Sequence, residues 1–126
     1  MRLHPFRAIR PRPDLAAEVA SVPYDVVNRD EAVEQARGNP HSFLHVGRSD
    51  IDLPSDTDPH DPRIYAQARS ALDEFLRRGV LVRDQSPGLY LYRQIMDGRA
   101  QVGVVGCVHI DDYEGGVIRQ PAPSRR

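Results

Sequence analysis

The chain has 126 residues, enough for one domain with a modest core. Its net charge of −1 gives no overall pull toward nucleic acid or an anionic membrane, so neither is expected as a partner. No apolar run approaches the roughly 20 residues needed to span a bilayer. The start, Met1-Arg2-Leu3-His4-Pro5, lacks the apolar stretch of a secretory signal.

The single cysteine, Cys107, cannot form an internal disulfide, which points to a reducing cytoplasm. All 17 basic residues are arginine. That excludes Schiff-base chemistry on lysine, and it excludes a P-loop, whose phosphate contact needs lysine.

Leu3 to Ile9 reads as a first strand, weakened by Pro5, with Arg7 inside it. Asp14 can cap a short helix over Leu15 to Ala20. Pro23 fixes φ and biases Val22 toward an extended conformation, so Tyr24 and Asp25 sit in a stiff, non-helical stretch. Asn28 with Glu31 forms a capping-box pattern for a helix to about Arg37, which Gly38 stops. Ser42 to Val46 reads as a short strand. Gly47 to Asp61 reads as a long polar loop; its aspartates lack the spacing of a calcium loop, and its length suits a binding loop or lid.

Asp61-Pro62 is a strong helix start. Ile64, Tyr65, Ala68, Leu72, Phe75 and Leu76 then form one apolar stripe at helical spacing, ended by Gly79. Val80 to Val82 reads as extended. Leu89 to Ile95 and Gln101 to Ile110 read as a hairpin closed by Asp97-Gly98, with Val102, Val104, Gly106, Val108 and Ile110 on its apolar face. Asp111 to Gly116 reads as a turn, followed by a short extended piece at Val117–Arg119. Residues 120–126 read as a disordered tail. The fold class is α+β: a mixed β-sheet with a C-terminal β-hairpin, one long amphipathic helix and one or two short helices.

Several pairings have the right residue types but the wrong setting. Ser42 and His45 with a loop aspartate lack a nucleophile elbow. His41 and His45 are four apart, but in a turn and strand they lack the helical geometry of a zinc pair. Cys107 and His109 share a strand face with no further ligand cluster. Gly103-Val104-Val105-Gly106 is not followed by a helix, so its glycines serve close packing or a bulge instead of a dinucleotide. No metal-ligating set is expected. Tyr24-Asp25 is the best pair. Its carboxylate can act as a base or hold a magnesium ion bound to phosphates. On the residues alone the favoured reading is instead that the carboxylate satisfies nearby backbone amides while Tyr24 packs in the core.

Six segments in order carry a family resemblance. They are Phe6-Arg7-Ala8-Ile9-Arg10-Pro11, Val22-Pro23-Tyr24-Asp25-Val26-Val27, Asn39-Pro40-His41-Ser42-Phe43-Leu44-His45-Val46, Gly79-Val80-Leu81-Val82-Arg83-Asp84, Leu89-Tyr90-Leu91-Tyr92-Arg93 and Asp111-Asp112-Tyr113-Glu114-Gly115-Gly116-Val117-Ile118. From Arg2 to about Arg119 the chain resembles the N-terminal part of DUF1015 proteins, an uncharacterised bacterial and archaeal family. The resemblance implies a longer parent, with residues 1–119 as the shared part and 120–126 divergent. The family pattern continues with a basic residue and His-Glu-x-Thr, where this chain has Gln120-Pro121-Ala122-Pro123-Ser124.

A remote relation of that family to the ParB/sulfiredoxin-like fold and to free-serine kinases implies phosphoryl transfer with ATP or ADP and magnesium, on a small-molecule substrate. Asp25 and Arg7 would then be catalytic, and Tyr24, Asn39 and His45 would line the site. The alternative expectation is a non-catalytic ligand-binding or protein-interaction module with the apolar hairpin face as its docking surface. An exposed sheet edge also implies self-association.

Overall fold

The computed structural model describes residues 1–118. In chain order the elements are β1 (Leu3–His4), β2 (Ile9–Pro11), a 3-10 turn (Pro13–Leu15), α1 (Ala16–Val19), α2 (Arg29–Ala36), α3 (Leu44–Gly47) and a second 3-10 turn (Ser49–Asp52). They continue as α4 (Pro62–Arg77), β3 (Leu81–Arg83), β4 (Tyr90–Met96), β5 (Arg99–Val105), β6 (Cys107–Val108) and α5 (Ile110–Glu114). The class is α+β, with the expected hairpin and long helix. The strands expected in one mixed sheet form three two-stranded sheets, β1-β6, β2-β3 and β4-β5. No helix among the described residues is long and apolar enough to cross a membrane. Arg119 and the expected tail at 120–126 lie outside the described residues.

Contacts divide the chain into two units, one of residues 9–82 and one of residues 1–8 with the chain from Arg83 on. The first is mainly helical. Its caps follow local chemistry. The Asn28 side chain accepts from the Glu31 N–H at 2.9 Å, and the Glu31 carboxylate accepts from the Asn28 N–H at 2.8 Å, so both halves of the capping box are present. Asp61 caps α4 by accepting from the Arg63 N–H at 2.8 Å, with Pro62 in the first turn. Gly38 and Gly79 adopt the positive φ that ends α2 and α4.

Two small apolar clusters hold this unit. Val19, Phe75, Val80 and Leu81 form one, with Leu15, Val46, Leu72 and Leu76 packed against it. Ala32, Ala36 and Leu44 form the other, with Val27 and Ile51 beside them.

Of Ser42 to Val46, where alternation suggests a strand, Leu44 to Val46 lie in helix α3. The Ser42 side chain accepts from the Leu44 N–H at 3.3 Å and starts the turn of α3. Leu44 and Val46 stand about 200° apart around a helix, which sends Leu44 into one cluster and Val46 into the other. The 47–61 stretch is also less open than expected, because it begins with the Ser49–Asp52 turn.

The second unit is built on strands. Asp97 and Gly98 both have positive φ, 51° and 74°, which matches the two-residue turn of a tight hairpin. Tyr90 pairs with Val105 at one end of the hairpin and Met96 with Arg99 at the other. The expected first strand is broken. β1 pairs with β6, Phe6 makes an isolated bridge to Gly88, and Arg7 lies in the irregular link that follows. Tyr90 anchors that link: its hydroxyl accepts from the Ala8 N–H at 2.9 Å and donates to Asp84 Oδ2 at 2.6 Å. Its ring meets Phe6 at 5.1 Å between centroids.

Gly106 separates β5 from β6, which breaks the long return strand expected through Ile110. A Cβ there would lie 2.7 Å from Leu3 Cδ1 and 2.9 Å from Leu89 Cδ2, so this glycine permits close packing. The stretch expected as a turn at 111–116 begins as helix α5. His109 caps it, its Nδ1 accepting from the Asp111 N–H at 3.3 Å, and Asp111 and Asp112 favour its first turn.

Replacing Asn28 by Ala removes the side-chain half of the capping box and should cost about 1 kcal/mol in chemical denaturation. Replacing the buried Phe75 by Ala should cost about 3–5 kcal/mol in the same measurement.

Candidate functional site

Pro23 begins a turn that the Val26 N–H closes by donating to the Pro23 carbonyl at 3.3 Å. Tyr24 and Asp25 are its two central residues, so their side chains point away from the closing bond. Both are exposed, and both line a cleft of about 610 Å³. Arg29, Arg48, Asp50, Ser55, Thr57 and Tyr65 are among the other lining residues.

The turn is held from below by Arg48. Its Nη1 donates to the carbonyls of Val27 and Tyr24. Its Nε and Nη2 donate to the two carboxylate oxygens of Asp50 at 3.0 and 2.9 Å. This is a bidentate, charge-assisted pair between two half-buried side chains. The hydrogen bond to Arg48 holds the Asp50 carboxyl below the usual carboxylate range, against a smaller opposing effect of burial. The buried Ser49 side chain donates to the Ile64 carbonyl at 2.6 Å and ties the first turns of α4 to the same segment. Arg29 Nη2 donates to the Leu53 carbonyl at 3.0 Å, which leaves donors on that guanidinium.

Asp25 differs from these neighbours. Among the described residues its carboxylate makes no hydrogen bond or ion pair, and the Tyr24 and Tyr65 hydroxyls make none. The backbone amides that could have satisfied Asp25 do not, and Tyr24 stands on the cleft lip instead of in the core. Thr57 Oγ1, on the same cleft, is buried with no partner.

The remaining expected site residues lie elsewhere. The Asn39 side chain donates to the Glu18 carbonyl at 2.7 Å and accepts from the His41 N–H at 3.1 Å, as a turn residue does. His45 is engaged on both ring nitrogens, with Asp52 Oδ2 at 2.8 Å and the Asn39 carbonyl at 3.1 Å. Neither residue lines the cleft. Arg7 belongs to the strand-built unit, where its Nε donates to the Asp84 carbonyl at 2.7 Å. His41 pairs with Glu18 at 2.6 Å and does not share a ligand with His45. Among the described residues no group of three or more His, Cys, Asp and Glu side chains is arranged to hold a metal ion.

Residue reading missed Arg29, Arg48 and Asp50. The Arg48-Ser49-Asp50 spacing, basic and acidic two apart in a polar loop, is the signal that could have marked the last two; it does not reach Arg29.

The Arg48–Asp50 pair has a pH signature. Because the folded carboxyl value is lowered, the stability it contributes is complete above the unfolded value and is lost as pH falls through the folded one. Asp50→Asn should therefore be less stable than wild type at neutral pH, by about 1–2 kcal/mol. That gap should close in acid, where both side chains are neutral. Thermal unfolding of the two proteins across the acid range measures it.

No curated protein and no solved structure matches this chain. A family described as "Protein of unknown function (DUF1015)" matches residues 3–120, nearly the whole length. The chain therefore belongs to the DUF1015 family.

Proposed function

We propose that the helical unit is a small-molecule-binding module and that its site is the cleft beneath Tyr24 and Asp25. The observation that carries this reading is the unpartnered Asp25 carboxylate. It stands at the lip of a cleft whose other charged groups are engaged with the protein. A structural aspartate in a turn ordinarily spends its oxygens on nearby amides. Asp25 keeps its acceptors for something outside the chain.

The finer reading is a magnesium-bound nucleotide and phosphoryl transfer. Magnesium is commonly held by one or two carboxylates together with substrate phosphates, and Asp25 is suited to that role. The Arg29 guanidinium has donors left for a phosphate oxygen. Arg48 has little to offer a ligand, since its donors already hold the turn. In this reading Asp25 places the metal or takes the proton of an attacking hydroxyl, and Tyr24 and Tyr65 offer aromatic faces to a base or sugar.

Calorimetry with ATP and with ADP, each with magnesium, tests both levels. Nucleotide binding by the wild type, with at least a tenfold loss in Asp25→Ala and in Arg29→Met, is the expected result. Binding unaffected by Asp25→Ala would remove the cleft as its site. No binding of either nucleotide would remove the phosphotransferase reading.

A further inference from the structure

We propose that β5 is an interface strand, pairing edge to edge with β5 of a second copy of this chain. The hairpin has two seven-residue strands and no third strand among the described residues. A two-stranded ribbon of that kind is marginal in water unless something extends or covers it. Its side chains are uncovered on both faces: Leu91 is 77% exposed, Met96 77% and Val104 60%.

The two outer edges are not equivalent. Strands that must stay unpaired carry proline, inward charge or a bulge. From Ala100 to Val105, β5 has none of these, and its only charge is Arg99 at the turn end. β4 carries Arg93 at its centre. In a two-fold pairing of β4 with itself, Arg93 would face Arg93, an unfavourable like-charge pair.

The register of the hairpin selects the pairing. Met96 and Arg99 close the two-residue turn, and such a closing pair exchanges both of its backbone bonds. The pairs Gln94–Gln101, Tyr92–Gly103 and Tyr90–Val105 follow in the same phase. Ala100, Val102 and Val104 therefore turn their N–H and C=O groups to the open edge. An antiparallel two-fold through Val102 sets Val102 against Val102 and Ala100 against Val104. All three outward residues are then satisfied, with about six hydrogen bonds. Arg99 falls across from Val105, so no like charges meet. The product is a four-stranded antiparallel sheet, β4-β5-β5-β4, with Leu91, Arg93, Ile95, Val102 and Val104 of both copies on one face.

The test is the oligomeric state of the full chain by sedimentation velocity over a range of concentrations. The wild type should show a concentration-dependent dimer. Val102→Lys, which puts two ammonium groups at the two-fold, should shift its dissociation at least tenfold toward monomer. Leu91→Lys puts the same charge on the same face but on β4, and it should dimerise as the wild type does. In a Cys107→Ser background, Val102→Cys should form a disulfide-linked dimer on mild oxidation, because such paired Cα atoms lie about 5.5 Å apart. Leu91→Cys should not. A wild type that stays monomeric at its highest soluble concentration overturns the proposal, and so does a Val102→Lys dimer as tight as the wild type. Equal loss of dimer in both lysine variants would assign association to the apolar face and overturn edge pairing.

Discussion

The Arg48 guanidinium joins two carbonyls of the Tyr24–Val27 stretch to the carboxylate of Asp50. One residue on, Ser49 fastens the start of α4. Three consecutive residues thus bring together a turn, a 3-10 segment and a long helix. Each bond is short-range and directional, and the guanidinium is planar, so the turn cannot move far without breaking several at once. The position of Asp25 follows from that bracket. A carboxylate carried on a stiff turn has little backbone freedom left to lose when a ligand binds.

Apolar packing around the bracket is confined to small clusters. The helical unit has two small clusters, one built on Phe75 and one on two alanines with Leu44. Much of its remaining order comes from caps, turn hydrogen bonds and arginine–carboxylate pairs. The abundance of arginine suits this arrangement, because a fork of donors can bind a carboxylate and carbonyls together where a lysine ammonium acts as a point charge. The strand-built unit has a different balance. Tyr90 and Phe6 order its base, while the hairpin leaves apolar side chains and backbone edges in water.

Family membership joins this chain to proteins described as of unknown function, so it assigns no chemistry to the cleft. Of the five residues marked by the family resemblance, Tyr24 and Asp25 stand together on it. Asn39 and His45 serve the turn that leads into α3, and Arg7 serves the irregular link beside Asp84. The other charged residues lining the cleft are Arg29, Arg48 and Asp50.

Local chemistry was legible in the sequence at several self-contained points, though not at the His109 cap of α5, and the cap expected from Asp14 is not made. The capping box at Asn28, the Asp61-Pro62 start of α4, the glycines that end both helices and the Asp97-Gly98 turn each depend on residues a few positions apart. The stiff turn at Tyr24-Asp25 belongs with them, since Pro23 restricts the backbone whatever surrounds it. Tertiary structure decided what needed distant partners. Five residues at 42–46 alternate like a strand, yet from Leu44 on they form a helix, placed between two separate clusters and begun by the Ser42 side chain. Gly106 breaks the return strand because Leu3 and Leu89 close on it from far along the chain. Asp25 could have been a satisfied turn residue, but among the described residues its carboxylate takes no partner, while Arg48, 23 positions away, holds the carbonyls of Tyr24 and Val27.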